Sequence, residues 1–277
     1  MLGGRRGQAL VPMFAGEAGL DLSQSWQIDD IMTDRILYQF PISHYCEKSR
    51  WQLDFKGLDY QEKNLLPGPH RLRTRWMARI DTLPILRDGR RTVGDSTKIA
   101  YYLEKYYPQR SLLPVAPDQR ARVIELEQKF DRLGVDVRRW LYGQIIDRPE
   151  VMQAMLNPYG LPGVVQSVLT PLTREGVRRL YRIEPKAVMR AGQRLEEGLL
   201  LLEEQLKKGS GRYLVGDQLT LADIAAASLL APLLSPAGTP WDIFDESTLP
   251  SALQSELQKL RERPAGQWVL ARYAEDR

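Results

Sequence analysis

The chain of 277 residues contains a single cysteine and only two histidines. One cysteine cannot form an intramolecular disulfide, which is consistent with a reducing compartment. Two histidines and one thiol also offer no spacing that is typical of a metal site. We therefore expect neither a disulfide framework nor a metal cofactor.

The chain also lacks a long hydrophobic run. No apolar stretch approaches the roughly 18 residues that argue for a membrane-spanning helix, so we expect no membrane span. The 39 Lys and Arg residues are spread along the chain against 35 acidic residues, and the net charge is only +4. A nucleic-acid binder usually concentrates its basic residues on one face or motif, so nucleic acid is not an expected partner.

The first residues have few features of a targeting segment. Residues 1–31 contain two arginines and a weak apolar stretch, but acidic residues soon follow, and MTDRILYQF is typical of a natural start at Met32. We interpret residues 1–33 as an N-terminal extension and predict that it is disordered.

The pattern of residues 34–110 predicts a small α/β module. The run ILYQF has strand composition, and apolar residues recur at helical spacing from Tyr45 until Gly57. Asp88-Gly89 between two apolar runs indicates a hairpin. The predicted elements are a strand at 36–40, a helix at 45–57, a strand at 60–65, an irregular or weakly helical segment at 67–81, hairpin strands around 83–93, and a helix from Asp95 or Ser96 to Pro108. This order is typical of one α/β domain.

The chain after the proline-bearing segment 108–117 shows only helical patterns. Apolar residues recur at three-to-four spacing in 118–142, 187–208 and 251–262. The intervening 143–186 is long for a connection and contains five prolines, which predicts short broken helices. We predict an α/β + all-α fold, with an all-helical domain at 118–277.

The clearest local signal of the second half is the sequence LTLADI. Thr220 and Asp223 have the spacing of a capping box, and Leu219 and Ile224 that of a hydrophobic staple. The following AAASLLAPLL is apolar nearly all round, so we predict that this helix is the buried centre of the bundle.

The order and spacing of these features resemble the soluble, cytosolic-type glutathione S-transferase family. These features are the α/β module with a proline starting its third strand, the acidic-Ser pair opening the next helix, the proline-bearing linker and the capped central helix. The resemblance covers roughly residues 34–270 and implies a thioredoxin-like N-terminal domain at 34–110, glutathione as co-substrate, a detoxification role, a cytoplasmic location and a homodimer.

Pro84 is the first position to which the resemblance gives a role. It implies that Pro84 is cis and that the backbone of Leu83 pairs with the cysteinyl part of glutathione, like an added strand. A proline lacks an N–H, which leaves its neighbour free to serve a ligand. An ordinary edge-strand proline is the alternative.

The resemblance also implies that Asp95 and Ser96 hold the γ-glutamyl end of glutathione. A hydroxyl and free N–H groups at a helix N-terminus suit a carboxylate, and an acidic neighbour suits an ammonium. Asp stands here in place of the more usual Glu. Its side chain is shorter, so it reaches less far toward the ammonium. The two residues also fit a simple helix cap.

Ser43 occupies the place of the serine that, in serine-type members of the family, hydrogen-bonds the sulfur of glutathione. Cys46 follows three positions later, like the second cysteine of a thioredoxin-type C-x-x-C whose first cysteine has become serine. We favour Ser43 as the donor to the sulfur and expect Cys46 to point inward as a small apolar residue. His44 could polarise the loop or steer carboxylates, although a lone loop histidine is usually solvated.

Other residues carry weaker predictions. One of Arg71, Arg73, Arg75 and Arg79 could bind the glycyl carboxylate of glutathione. Trp140, Tyr142 and Tyr159 could line a pocket for the electrophile, or pack in the core.

Three functions remain open from the sequence. The favoured one is transfer of the glutathione thiolate to an apolar electrophile. The second is a non-catalytic carrier of glutathione or a hydrophobic ligand such as a tetrapyrrole, in which segment 143–186 enlarges the cleft. The third is a thiol transferase that works through Cys46.

Overall fold

The computed structural model describes residues 35–209, 211–242 and 245–277. The predicted disorder of residues 1–33 lies outside these residues. A sheet with strand order β2-β1-β3-β4 organises the first part of the chain. Its strands are β1 (Arg35–Gln39), β2 (Gln61–Asn64), β3 (Ile85–Asp88) and β4 (Arg91–Gly94).

The register of the sheet places the end of β1 beside the start of β3. β1 is parallel to β2 and antiparallel to β3, with Tyr38 opposite Ile85. β3 and β4 form the predicted hairpin, with Ile85 opposite Gly94. The segments that follow β1, precede β3 and follow β4 therefore meet at one end of the sheet.

Helices α1 (His44–Phe55) and α2 (His70–Ala78) connect these strands, and α3 (Ser96–Tyr106) follows β4. The prediction of an irregular or weakly helical segment at 67–81 understated α2, which is a helix of 9 residues. Only His70 and Thr74 of this helix are buried, and its N-cap Pro69 provides no side-chain cap. A helix that buries two polar residues lacks the apolar period by which helices are recognised in a sequence.

The second part of the described chain is helical throughout. The segment 143–186 contains α5 (Pro149–Ala154), a short 3₁₀ helix at Asn157–Tyr159 and α6 (Gly163–Tyr181), which agrees with a broken connection. Helix α6 nevertheless runs for 19 residues with Pro171 inside it. Pro171 therefore does not end the helix, contrary to the prediction of short helices. The helices are α4 (Pro117–Ile145), α5 (Pro149–Ala154), α6 (Gly163–Tyr181), α7 (Pro185–Lys208), α8 (Leu221–Leu234), α9 (Ser251–Glu262) and α10 (Pro264–Asp276).

Helix α8 is the buried centre that its composition predicts. Every residue from Leu221 to Leu234 is buried, and α1, α4, α9 and α10 pack around it, while α7 packs against α4 and α10. Helix α10, which the sequence pattern did not identify, begins at Pro264, and Arg263 alone separates it from the end of α9. The predicted fold class is confirmed: a thioredoxin-like α/β part is followed by a helical bundle. The domain bounds 34–110 and 118–277 stay a prediction.

The capping box of α8 forms as predicted. The Asp223 carboxylate accepts hydrogen bonds from the backbone N–H of Thr220 at 2.8 Å, from its hydroxyl at 2.6 Å, and from the N–H of Leu214 at 2.8 Å. Asp223 is completely buried, so each of these donors would lack water if the carboxylate were removed. Asp223 thus joins the chain before α8 to the start of the central helix.

Within the ranges described above, no helix is both long and apolar enough to cross a membrane.

We predict that Asp223→Ala lowers the free energy of unfolding by about 3 kcal/mol or more, because it leaves three buried donors without an acceptor. Asp245 caps the 3₁₀ helix Glu246–Thr248 at an exposed position and is the matched control. Asp245→Ala should cost much less, because water replaces the lost carboxylate. Urea unfolding of both variants measures the difference, and equal losses would contradict a special role for Asp223.

Candidate functional site

Three segments meet at the end of the sheet where β1 stops and β3 starts. The Leu83–Pro84 peptide bond is cis, and the Pro84 carbonyl accepts a hydrogen bond from the N–H of Asp95 at 3.1 Å. Leu83 shares a hydrophobic cluster with Cys46 of α1 and Tyr38 of β1. The start of α1, the cis proline and the start of α3 therefore form one site.

Leu83 carries unused backbone groups. No hydrogen bond joins its N–H or carbonyl to another residue in the described part of the chain. Buried backbone groups are nearly always paired, and Leu83 is only 9% exposed. Such a position can accept an extended peptide as an added strand.

Asp95 and Ser96 open α3. Asp95 is the N-cap, and its Oδ1 accepts from the N–H groups of Thr97 and Lys98, both at 3.0 Å. Its φ of 79° and ψ of 129° lie outside the regions that non-glycine residues usually occupy. Such backbone conformations concentrate at ligand sites. Asp95 therefore caps α3 through Oδ1, and its Oδ2 takes no part in the two capping hydrogen bonds.

Ser43 is the N-cap of α1. Its Oγ accepts from the N–H of Cys46 at 3.4 Å, and this capping bond does not use the hydroxyl proton. The residue is partly exposed, beside the positive N-terminal end of a 12-residue helix.

Cys46 points inward. It is 0% exposed. Burial raises the pKa of its thiol, while the hydroxyl of Ser43 and the charge of Arg50 act in the opposite direction. A buried thiol of raised pKa is a poor nucleophile at neutral pH.

The first turn of α1 is tied to α4. The ring Nε2 of His44 lies 3.1 Å from the Gly134 carbonyl, and Tyr45 donates its hydroxyl to the Asp131 carbonyl at 2.7 Å. A Cβ at Gly134 would come within 2.9 Å of the Tyr45 hydroxyl oxygen, so the missing side chain permits this close approach.

His44 is buried rather than solvated, and it is uncharged. Burial above all, and then the Arg138 cation, lower its pKa to about 3. Because the Gly134 carbonyl can only accept, Nε2 of the neutral ring carries the hydrogen. The prediction that His44 steers carboxylates is therefore wrong if the steering depends on a positive charge, because the ring is neutral.

Lys48, one turn further along α1, is a buried cation shared by three helices. Its ammonium donates to Glu127 at 2.6 Å and Asp131 at 2.7 Å on α4, and to the Thr97 hydroxyl on α3 at 2.9 Å. The Lys48 side chain is 0% exposed. This contact fixes the starts of α1 and α3 against α4.

A group of tyrosines lies beside the start of α1. The rings of Tyr142 and Tyr181 stack at 5.5 Å with an interplanar angle of 17°. Burial, and then the neighbouring Cys46 and Tyr181, raise the pKa of Tyr159. The guanidinium carbon of Arg138 lies 3.9 Å from the centre of the Tyr181 ring and 5.8 Å from that of Tyr45. Segment 143–186 therefore supplies two of the rings at the site.

The other sequence candidates lie in different surroundings. Trp140 packs against Gly192 of α7, in the bundle. Arg73 stacks over the Tyr38 ring at 5.0 Å, and Arg75 forms an exposed ion pair with Asp81. Sequence reasoning missed Lys48, Arg138 and Tyr181, since only the packing of helices distant in sequence brings them to the site.

A cavity of about 450 Å³ lies on another part of α1, and none of the predicted site residues lines it. Glu62 of its lining accepts from the neutral amide of Gln39 at 2.6 Å. The other three charged groups are paired with one another: Glu47 accepts from Arg50 at 2.8 Å and from Arg277 at 2.7 Å. The cavity therefore offers no free charge to a ligand through these groups. Across residues 35–209, 211–242 and 245–277, no group of three or more His, Cys, Asp or Glu side chains could hold a metal ion.

Comparison with protein families gives two matches along the chain. Residues 37–111 match the glutathione S-transferase N-terminal domain, and residues 178–253 match the C-terminal domain. Together the two matches cover more than half of the chain.

Individual relatives agree with these matches. A glutathione S-transferase of Triticum aestivum is 27% identical over 195 residues, which cover 69% of this chain and 75% of the relative. The structure of the beta-etherase LigF from Sphingobium sp. strain SYK-6 superposes with a TM-score of 0.57 at 22% identity, covering 86% of this chain and 99% of that one. A glutathione S-transferase of Methylobacterium radiotolerans in complex with glutathione sulfonate gives a TM-score of 0.52 at 21% identity, covering 85% of this chain and 94% of the other. These structural likenesses show the fold.

We predict that Lys48→Met lowers the free energy of unfolding by about 3–5 kcal/mol, because two carboxylates would lose the cation that neutralises them. Lys208, whose ion pair with Glu204 is exposed, is the matched control. Lys208→Met should leave the denaturant midpoint close to that of the parent protein. A Lys48→Met variant as stable as the Lys208→Met variant would contradict this role.

Proposed function

This chain belongs to the glutathione S-transferase family and is a transferase of that family, and we propose that it is a serine-type member. In this proposal glutathione binds across the cis Leu83–Pro84 bond and the start of α3. Ser43 holds the glutathione sulfur as a thiolate, which attacks an apolar electrophile. The observation that carries the proposal is the meeting of the Ser43 cap, the cis Leu83–Pro84 bond and the Asp95 cap at one end of the sheet.

The proposed glutathione contacts follow from the unused groups of the site. The N–H and carbonyl of Leu83 receive the cysteinyl backbone as an added strand. The N-terminus of α3 receives the γ-glutamyl carboxylate, and the free Oδ2 of Asp95 receives its ammonium. One of Arg71, Arg73 and Arg75 of α2, or Arg79 directly after it, remains the candidate for the glycyl carboxylate.

Ser43 acts on the sulfur as a hydrogen-bond donor. A free thiol titrates near pH 8.5, and lowering that value by about two units requires roughly 3 kcal/mol of preferential stabilisation of the thiolate. A hydroxyl donor together with the N-terminus of α1 supplies a contribution of this order.

The chemistry is a substitution or addition at carbon. The sulfur lone pair forms a C–S bond with the electrophile, and either a leaving group departs with its bonding electrons or the electrophile takes up a proton. Tyr142, Tyr159 and Tyr181 provide an apolar wall for this second substrate.

The geometry does not favour the thiol transferase, and turnover of electrophiles distinguishes the carrier from the proposed transferase. A thiol transferase working through Cys46 would need an accessible thiolate, whereas Cys46 is buried with a raised thiol pKa. A carrier would bind hydrophobic ligands without turning over electrophiles. The homodimer, the detoxification role and the cytoplasmic location stay predictions.

We predict that Ser43→Ala lowers kcat/KM for chlorodinitrobenzene about 100-fold, as expected for loss of one donor to a developing or resident anion. Glutathione affinity should be kept, while the pKa of the bound thiol rises by about 1–2 units. Thiolate absorbance of bound glutathione across a pH series measures that shift.

Two variants control this experiment. Ser43→Gly also lacks the hydroxyl but is a better N-cap than alanine, so it should lose activity equally while keeping more stability. Cys46→Ala should retain conjugation. Loss of conjugation in Cys46→Ala with full activity in Ser43→Ala would overturn the assignment, and tight glutathione binding without turnover of any electrophile would favour the carrier.

We predict that Asp95→Asn weakens glutathione binding about tenfold, because asparagine keeps the helix cap but loses the charge that pairs with the ammonium. Titration calorimetry with glutathione and with its analogue lacking the α-amino group measures this effect. The analogue should bind both proteins equally. Asp118→Asn, at an exposed carboxylate in the first turn of α4, is the control. Equal weakening for both ligands would assign Asp95 to capping alone.

A further inference from the structure

Arg138 is a cation at the site, and the described residues provide no anionic partner for it. Its Nε is buried and makes no hydrogen bond, and no ion pair joins its guanidinium to a carboxylate among the residues that the structure describes. Burying part of a charged group without a partner is costly, so such groups are normally paired. The guanidinium is instead held by ring contacts with Tyr181 and Tyr45.

The next arginine on the same helix shows the usual arrangement. Arg139 donates to Asp136 at 3.2 Å and to the Tyr181 carbonyl at 3.0 Å, and Asp136 also accepts from Arg194 at 2.6 Å. The nearby carboxylate is thus occupied by other arginines. Arg138 is left facing the start of α1, where its charge lowers the pKa of His44.

The immediate surroundings of Arg138 favour a planar anion. A guanidinium stacked on an aromatic face keeps its N–H groups in its own plane, available at the edge, where they match the geometry of a carboxylate. The Tyr181 ring that carries this guanidinium also stacks with the Tyr142 ring, so the surroundings of Arg138 are aromatic. His44 is neutral and its N–H is used by Gly134, so it does not compete for the anion.

We propose that the second substrate is an aromatic or otherwise planar electrophile that bears a carboxylate, and that Arg138 binds this carboxylate. The inference rests on the proposed transferase function and narrows it to a substrate class. Arg138 is then a specificity-determining residue of the electrophile side of the site, and glutathione itself binds without it.

The test compares two electrophiles that differ in one substituent, the anionic carboxylate of chloronitrobenzoate and the neutral amide of chloronitrobenzamide. In both, the glutathione sulfur forms a bond to the ring carbon and chloride leaves with the bonding electrons. Arg138→Met should lower kcat/KM about 10- to 100-fold for the benzoate, as expected for loss of a charge-assisted bidentate pair, and less than about threefold for the benzamide. For each probe, kcat/KM of the variant is divided by kcat/KM of the parent protein, so the different intrinsic reactivities of the two probes cancel.

Arg132→Met is the matched control, because Arg132 is an exposed arginine on the same helix. For both probes, kcat/KM of Arg132→Met should equal that of the parent protein. Arg138→Lys keeps the charge but not the planar fork, and should restore only part of the benzoate activity.

A binding measurement makes the result independent of turnover. The glutathione conjugate of the benzoate should bind the parent protein more tightly than the conjugate of the benzamide. Arg138→Met should remove that difference. An equal loss with both probes or both conjugates would overturn the proposal and assign Arg138 to the thiolate or to packing. Failure of glutathione to bind the parent protein, measured separately, would instead overturn the proposed function.

Discussion

The buried ammonium of Lys48 is the interaction on which the geometry of the site depends. It joins α1 to Thr97 in the first turn of α3 and to Glu127 and Asp131 of α4. A charge removed from water is costly unless its partners surround it, so the three helices cannot separate without exposing or unpairing it. Ser43 and Asp95 cap two of these helices. Their relative position is therefore set by a contact that neither of them makes.

The approach of α1 to α4 depends on a residue that has no side chain. Gly134 lets the Tyr45 hydroxyl pass close to the α4 backbone, and the carbonyl of the same residue bonds to His44. Gly134 has helical neighbours on both sides and lies on the buried face of α4. A glycine inside a helix costs about 1 kcal/mol relative to alanine. Here that cost permits two contacts between the parts of the molecule that form the site.

The features that could be predicted from the sequence are those fixed by local chemistry. The capping box of Thr220 and Asp223 needs only four residues, and the Asp88-Gly89 hairpin needs two. Helix α2 was not identified as a regular helix because the residues that it buries are polar. Helix α10 was not identified because it follows α9 without a separate turn. Arg138 and Tyr181 are 43 residues apart in the numbering and lie on different helices, so no periodicity could place them together. The family resemblance indicated the positions near the glutathione sulfur, but it did not indicate the Arg138 guanidinium.

The electrostatics of the site follow from which groups are charged and which are neutral. His44 is neutral because it is buried beside Arg138 and Lys48, and Cys46 is held toward its thiol form by burial. The positive potential near Ser43 therefore comes from the α1 N-terminus, without a titrating histidine. A site of this kind keeps its own charge constant across the physiological pH range. Any pH dependence of conjugation near neutrality should then come from the glutathione thiol itself, because that thiol is the group at this site expected to change charge there.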